Sequence, residues 1–282
     1  KESERPLNLE SIVLIQPAFN YDLSPDGKTL LFVSNKKGFD QIFAMKLRGG
    51  FPYQITGMMQ DFEDPRWSPD GKKIACISEN QLWIMDASGR NPQKLTNHGA
   101  GAKMPRWSPD GRLIAFYSKA KGWEQIWVVK PDGTGLKRVI TLNNDFEFSE
   151  WSPDSSSIAA SAYDIKEPYN SDIYVFNIKD GKHYLLTPSD KSYDFCPRWS
   201  PDGKQIAFVS NRNGWDHIYR VNAEGGTPVQ VSEGQYEHEE PNWSPDGKWI
   251  CFLQDHHGTR RLMKASSNGG SPVRIDGGQD GV

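Results

Sequence analysis

Five short segments of this 282-residue chain, Gly57–Asp64, Asn97–Met104, Leu142–Phe148, Pro188–Cys196 and Glu233–Glu240, concentrate carboxylates. They carry Asp61, Glu63, Asp64, Asp145, Glu147, Asp190, Asp194, Glu233, Glu237, Glu239 and Glu240, eleven acids against Lys103 and Lys191, in a chain whose formal net charge is only −3. If these segments share one concave surface, its low-dielectric walls focus their field. The chemistry on offer is then selection of a cationic group: a peptide amine, a Lys or Arg of a partner, or a metal ion. The competing reading is a solvated loop set that keeps a sheet-rich protein in solution.

Histidines add a second possibility. His238 lies between Glu237 and Glu239, and Asp255 is followed by His256 and His257. Imidazole with carboxylate suits a divalent transition metal, so His238, Asp255 and His256 are candidate ligands. Calcium would instead take the carboxylates of the acidic segments. Their spacing matches no compact ligand motif, and nothing else in the chain requires a cofactor.

A third pattern pairs serine with aspartate six times, at Ser24/Asp26, Ser68/Asp70, Ser108/Asp110, Ser152/Asp154, Ser200/Asp202 and Ser244/Asp246, always around a proline. A serine nucleophile needs a histidine base and an oxyanion hole, and neither recurs with these pairs. The aspartate is better read as capping its own turn by accepting backbone N–H groups two residues on. The 282 residues contain no Gly-x-Ser-x-Gly elbow, so the expectation is a protein that binds rather than catalyses.

The elements that must position these residues follow from the same serines. Successive copies are 44, 40, 44, 48 and 44 residues apart, a period that signals an array of one supersecondary unit. After each Ser-Pro-Asp turn comes a short apolar run, such as Leu30–Val33, Ile74–Ile77 or Ile206–Val209, then a polar loop, then an alternating run such as Gln41–Met45 or His217–Val221. A glycine turn and a last short run ending in Thr or Ser complete the copy. Four short strands per copy predict an all-β chain, a six-bladed β-propeller with four antiparallel strands per blade. It is expected as a single domain over 1–282, with an N-terminal extension over 1–17 and blades over 18–56, 57–96, 97–141, 142–187, 188–232 and 233–276.

Strand alternation puts the five acidic segments on one face, where they enter the first strand of each blade around the channel mouth. The expected partner-binding residues there are Asp61, Glu63, Asp64, Asp145, Glu147, Asp194, Glu237, Glu239 and Glu240. Blade four has a lengthened loop, Tyr163–Ser171. An insertion in one copy of a repeat usually lies on the binding face, which adds Tyr163 and Tyr169. Phe39, Trp123 and Trp215 recur at one loop position and read as rings closing over the blade end. Trp67, Trp107, Trp151, Trp199 and Trp243 are expected to be mostly buried between blades, and the apolar run Ser11–Ile15 to pair as an added edge strand.

The slight negative charge argues against nucleic acid as a partner, and no apolar run approaches the roughly 20 residues of a membrane helix. Cys76, Cys196 and Cys251, an odd count, imply no disulfide framework. The chain opens on Lys1-Glu2-Ser3-Glu4-Arg5, not on a signal peptide. Its place is therefore periplasmic or extracellular after removal of a signal, or cytoplasmic. A monomer is expected.

The segment Pro65–Ala75, with close variants at Pro105–Ala115 and Pro197–Ala207, resembles the repeat of TolB-type six-bladed propellers, and the likeness runs from Asp22 to about Ile275. Gly214–Val221 with Gly225–Pro228 is similar to blades of the propeller that caps prolyl-oligopeptidase-family serine peptidases. The first resemblance implies a non-catalytic module that binds a protein or peptide. The second implies a gating domain whose catalytic half is absent from these residues. A carbohydrate-active propeller with a metal near His238 and His256 is a further alternative.

Overall fold

The computed structural model describes residues 19–276 apart from 36, 37, 98, 121, 141, 143, 164–169 and 189. Ser11–Ile15 and Tyr169, both named above, lie outside the described residues. Among the described residues every regular element is a strand. The strands form six four-stranded antiparallel sheets, each in simple sequential order, which is the blade pattern of a six-bladed β-propeller. The chain divides into two compact units, 1–138 with three blades and 139–282 with three. In the first unit the blades run Phe19–Gln54, Glu63–Lys94 and Lys103–Arg138, and in the second Asp145–Leu185, Asp194–Gln230 and His238–Arg274.

The second strand of each blade reads as a continuous apolar run because both its faces are covered. Within the first unit, Leu31, Ile42 and Ala44 of blade one pack with Phe62, Ile74, Cys76 and Met85 of blade two, and Trp67 and Trp83 rest against that cluster. Within the second, Ala207, Val209 and Ile218 of blade five meet Ile250, Phe252 and Met263 of blade six, with Trp243 alongside. Each core thus lies between neighbouring blades. Burial on this scale contributes roughly 25 cal/mol per Å² of apolar surface removed from water. Of the repeat tryptophans, Trp151 is buried, whereas Trp67, Trp107, Trp199 and Trp243 are half-buried.

Backbone-directed bonds at the repeat tryptophans tie neighbouring blades together in an alternating way. Asp22 accepts the Trp67 amide at 2.6 Å and Glu150 accepts the Trp199 amide at 2.7 Å. At the next junction of each unit the indole donates instead, Trp107 to the Arg66 carbonyl at 3.2 Å and Trp243 to the Arg198 carbonyl at 3.0 Å.

All six Ser-Pro-Asp turns have one geometry, and it is structural. The serine hydroxyl donates to the aspartate, at 2.6 Å in blade two, and accepts the amide five residues on; the aspartate accepts the amide two residues on. Blades one, three, four, five and six repeat the set. The serine hydrogen bond is the leading reason that the Asp70 and Asp202 carboxyls lie below the usual carboxylate range. The residue after each aspartate has positive φ. Five blades use glycine there, whereas blade four has Ser155 at φ 63°. A non-glycine side chain in the left-handed region costs about 1–2 kcal/mol, partly offset by the greater freedom glycine loses on folding. Ser155→Gly is therefore expected to stabilise the second unit by about 0.5–1 kcal/mol, read as an increase in the denaturant midpoint.

Candidate acidic binding face

The first strands that carry the acidic residues share a device. In blades one, two, three, five and six the residue three before the Trp-Ser position (Leu-Ser in blade one) has positive φ: Asn20, Asp64, Met104, Cys196 and Glu240. The register to the second strand slips at the same place, for example between Glu63 and Arg66, Phe195 and Arg198, and Glu239 and Asn242. This is a β-bulge, which inserts one residue and re-aims the side chains before it. Nothing in the residue types at these positions announces it.

In the second unit the acids come from all three blades. In blade four, Glu147 accepts the Tyr163 hydroxyl at 3.3 Å. Burial, then Glu147 and Asp145, push the Tyr163 phenol up to about 12. The Tyr193 phenol at the entry to blade five is raised by burial and by both Glu147 and Asp216, so it stands in the field of carboxylates from either side. Asp216 in turn is pushed up to about 6 by burial and by Glu237 and Glu239. Its own amide donates to Glu237 at 2.6 Å, which holds the blade-six entry segment on blade five. Arg260 pairs with Glu239 at 3.1 Å, and Glu240 is exposed.

The first unit holds a smaller group of the same kind. Asp61 accepts the Asp40 amide at 2.8 Å. Desolvation, then Asp64, Asp40 and Asp61, raise the Glu63 carboxyl. A carboxyl raised by burial and by like-charged neighbours marks charge that is not fully compensated locally.

Asp194 has another occupation. It is fully buried and takes a two-oxygen hold on Arg212 at 2.9 and 3.0 Å, while Ser192 donates to it at 3.0 Å. Arg212 also donates to Ser210 at 2.9 Å and lies over the Tyr219 ring at 5.0 Å. Its charge is met inside the blade rather than offered to a partner.

The three proposed metal ligands each have their own partners. His238 is fully buried, with its Nδ1 3.1 Å from His217 Nδ1 and its Nε2 3.2 Å from the Gln254 amide nitrogen. Asp255 accepts the Gly258 amide at 2.7 Å. His256 stacks on Tyr236 with ring centroids 4.9 Å apart. Among the described residues no group of three or more His, Cys, Asp or Glu is arranged to hold a metal ion.

Sequence reasoning missed Tyr193, Arg212, Asp216 and His217. A signal for His217, and for the different character of blades five and six, existed in the copies themselves. The third strands of blades one, two and three carry Gln41, Gln81 and Gln125 opposite a serine, where blade five has His217 opposite Ser210. Five residues before the Trp-Ser position stand Phe62, Ala102, Phe146, Asp194 and His238, all buried. Two polar residues in that apolar column mark blades five and six as different.

Comparison with known proteins agrees with this architecture. A family model described as the TolB beta propeller domain matches residues 64–167 and 149–280. The dipeptidyl-peptidase 5 of Porphyromonas gingivalis is 30% identical over 257 residues, covering 69% of this chain and 37% of its own length. The structure of a putative TolB from Agrobacterium tumefaciens superposes with a TM-score of 0.63 at 26% identity, over 79% of this chain and 83% of that one. A Mycobacterium tuberculosis puromycin-hydrolyzing peptidase gives 0.74 at 15% identity, over 92% of this chain and 47% of that one, a likeness of fold. The two curated relatives that match most of this chain are longer than it, the chain spanning 59% and 37% of their lengths.

Proposed function

Because the chain belongs to the TolB β-propeller domain family, we propose that it is a binding module that takes a cationic protein or peptide segment on the acidic face of blades four to six. The observation that carries this reading is the convergence of Asp216, Glu237 and Glu239, where the Asp216 amide donates to Glu237 at 2.6 Å and burial, then Glu237 and Glu239, push the Asp216 carboxyl up to about 6. A Lys, Arg or terminal amine placed there relieves a repulsion that the protein otherwise sustains. Tyr163 and Tyr193 supply flat, partly apolar walls for the stem of such a side chain. A periplasmic or extracellular setting goes with this proposal.

The test is binding of a fluorescein-labelled pentapeptide of arginine, followed by anisotropy. Affinity is expected to fall as salt rises, since exposed charges are screened over about 8 Å at physiological ionic strength. Glu239→Lys with Glu240→Lys should weaken it at least tenfold at low salt while the melting temperature stays within a few degrees. Undiminished binding by that double variant would overturn the proposal.

A second reading rests on the relatives. Dipeptidyl-peptidase 5 exceeds the matched region, and a propeller of this kind that gates a serine peptidase would use the same acidic face to receive a peptide amine. A Gly-x-Ser-x-Gly segment encoded downstream of Val282 would favour it.

A further inference from the structure

A buried histidine pair joins the acidic entry segment of blade six to blade five, with one proton between the two ring nitrogens that face each other at 3.1 Å. His217 begins the third strand of blade five and His238 the first strand of blade six. Both are nearly or fully buried, at 4% and 0% exposure. In blades one and two a glutamine takes the place of His217: Thr56 donates to Gln41 at 2.8 Å and Thr96 to Gln81 at 2.9 Å, each threonine oxygen accepts a third-strand amide at 3.0 Å, and the Gln41 amide donates on to the Met58 and Gln60 carbonyls of the next entry segment at 3.2 and 2.7 Å. Blade five keeps the hydroxyl, Ser232 accepting the Ile218 amide at 2.9 Å, but replaces the glutamine by His217. Blade six brings His238 into the position held by Phe62 and Phe146 elsewhere.

The protons can be assigned from the partners. With the Gln254 amide donating to His238 Nε2 at 3.2 Å, the His238 proton sits on Nδ1 and is donated to His217 Nδ1 at 3.1 Å. His217 then carries its own proton on Nε2. A second proton is poorly received. On His217 Nδ1 it would set N–H against N–H, leaving only the long contacts to the Ser232 hydroxyl, 3.3 Å from His238 Nδ1 and 3.5 Å from His217 Nδ1, to take it up. On His238 Nε2 it would require Gln254 to turn and would leave a charged ring edge-on to Phe252, 5.1 Å between centroids, with no exposure to water.

The ring bond joins the end of the acidic segment to blade five. It stands beside two backbone-amide bonds that do not depend on the rings, the His238 amide to the Asp216 carbonyl at 2.8 Å and the Asp216 amide to Glu237 at 2.6 Å, so the rings are what blade five adds to a seat that other blades share. We propose that His217 and His238 are an acid-responsive latch: one shared proton keeps the Glu233–Glu240 segment seated on blade five, and uptake of a second releases it.

The groups facing the pair from each element are Asp216 and Glu237 beside the histidines, Ser232 at the end of the fourth strand, and Gln254 and Phe252 on the second strand of blade six. Glu239, tied to Arg260, lies one step beyond. Glu237 draws a proton towards His217, but burial outweighs it and lowers that ring. Burial and His217 lower His238 to about 4. A histidine depressed below its unfolded value near 6.5 gives stability that is full above 6.5 and is lost as pH falls towards 4. Asp216, raised to about 6, works in the opposite sense over part of that window, so the test must leave it in place.

The measurement is amide hydrogen exchange of residues 233–240, as protection relative to the free-chain rate, between pH 7.5 and 4.5. The unaltered chain should lose protection there at least tenfold below about pH 5. His217→Gln with His238→Phe, which restores the residues of blades one and two, should hold it. His217→Gln alone serves if the double variant folds poorly, and should flatten the profile in part. Ring-proton NMR of the unaltered chain gives an independent reading, with neither buried histidine titrating near 6.5. Equal pH profiles for the unaltered and substituted chains, or an ordinary titration of either ring, would overturn the latch. Peptide binding is not used, so this outcome and that of the binding proposal are separate.

Discussion

Asp194→Ala is expected to destabilise the second unit by about 3–5 kcal/mol, because it strands the Arg212 guanidinium in a site built for an ion pair. The carboxylate is fully buried and the arginine side chain only 15% exposed. Two bonds to Asp194, one to Ser210 and the Tyr219 face satisfy the guanidinium. Removing the acid leaves the charge with the more distant Asp190, at 3.5 Å. Arg212→Ala should cost a similar amount for the converse reason, and the double variant should cost clearly less than the sum. Urea unfolding of the three variants checks this. Additive losses would show that the two side chains are not energetically coupled.

A second large effect is expected at Gly89. Its φ of 80° already favours glycine, and a Cβ there would overlap the carbonyl oxygen of Ile55 in the preceding blade and come within 3.1 Å of that residue's Cγ2. Backbone cannot give way as a flexible side chain can. Gly89→Ala should therefore cost about 3 kcal/mol or more, combining about 1–2 kcal/mol for the left-handed conformation with about 1–3 for overpacking. Gly133 is the matched control. It lies at the same turn of the next blade with φ 81°, but a Cβ there would meet Leu95 only at 3.7 Å. Gly133→Ala should show the conformational cost alone, about 1–2 kcal/mol. Thermal melts of the two variants separate the contributions, and equal losses would refute the clash.

The repeat made the blades legible because it is written in local chemistry. Ser, Pro and Asp at fixed offsets specify a turn whose bonds span at most five residues, and the apolar runs beside it need only a strand and a covering neighbour. Such features survive translation from chain to fold unchanged. The same locality explains why the six serines could be set aside as nucleophiles, each hydroxyl being engaged with its own aspartate.

What tertiary structure alone decided is which carboxylates are free to act. Asp194 and Glu239 look alike in the chain, both a few residues before a Trp-Ser position. Asp194 meets Arg212, 18 residues away, inside its blade, whereas Glu239, paired with Arg260 only at the exposed surface, still adds its charge to that of Glu237 around Asp216. His238 invited a metal because two glutamates flank it, but the bulged strand turns it inward onto His217, 21 residues earlier. Composition reports how much charge a loop carries. Whether that charge is compensated depends on partners tens of residues distant and on bulges that no residue type encodes, because Coulomb and desolvation energies are set by separation and burial in space rather than by order along the chain.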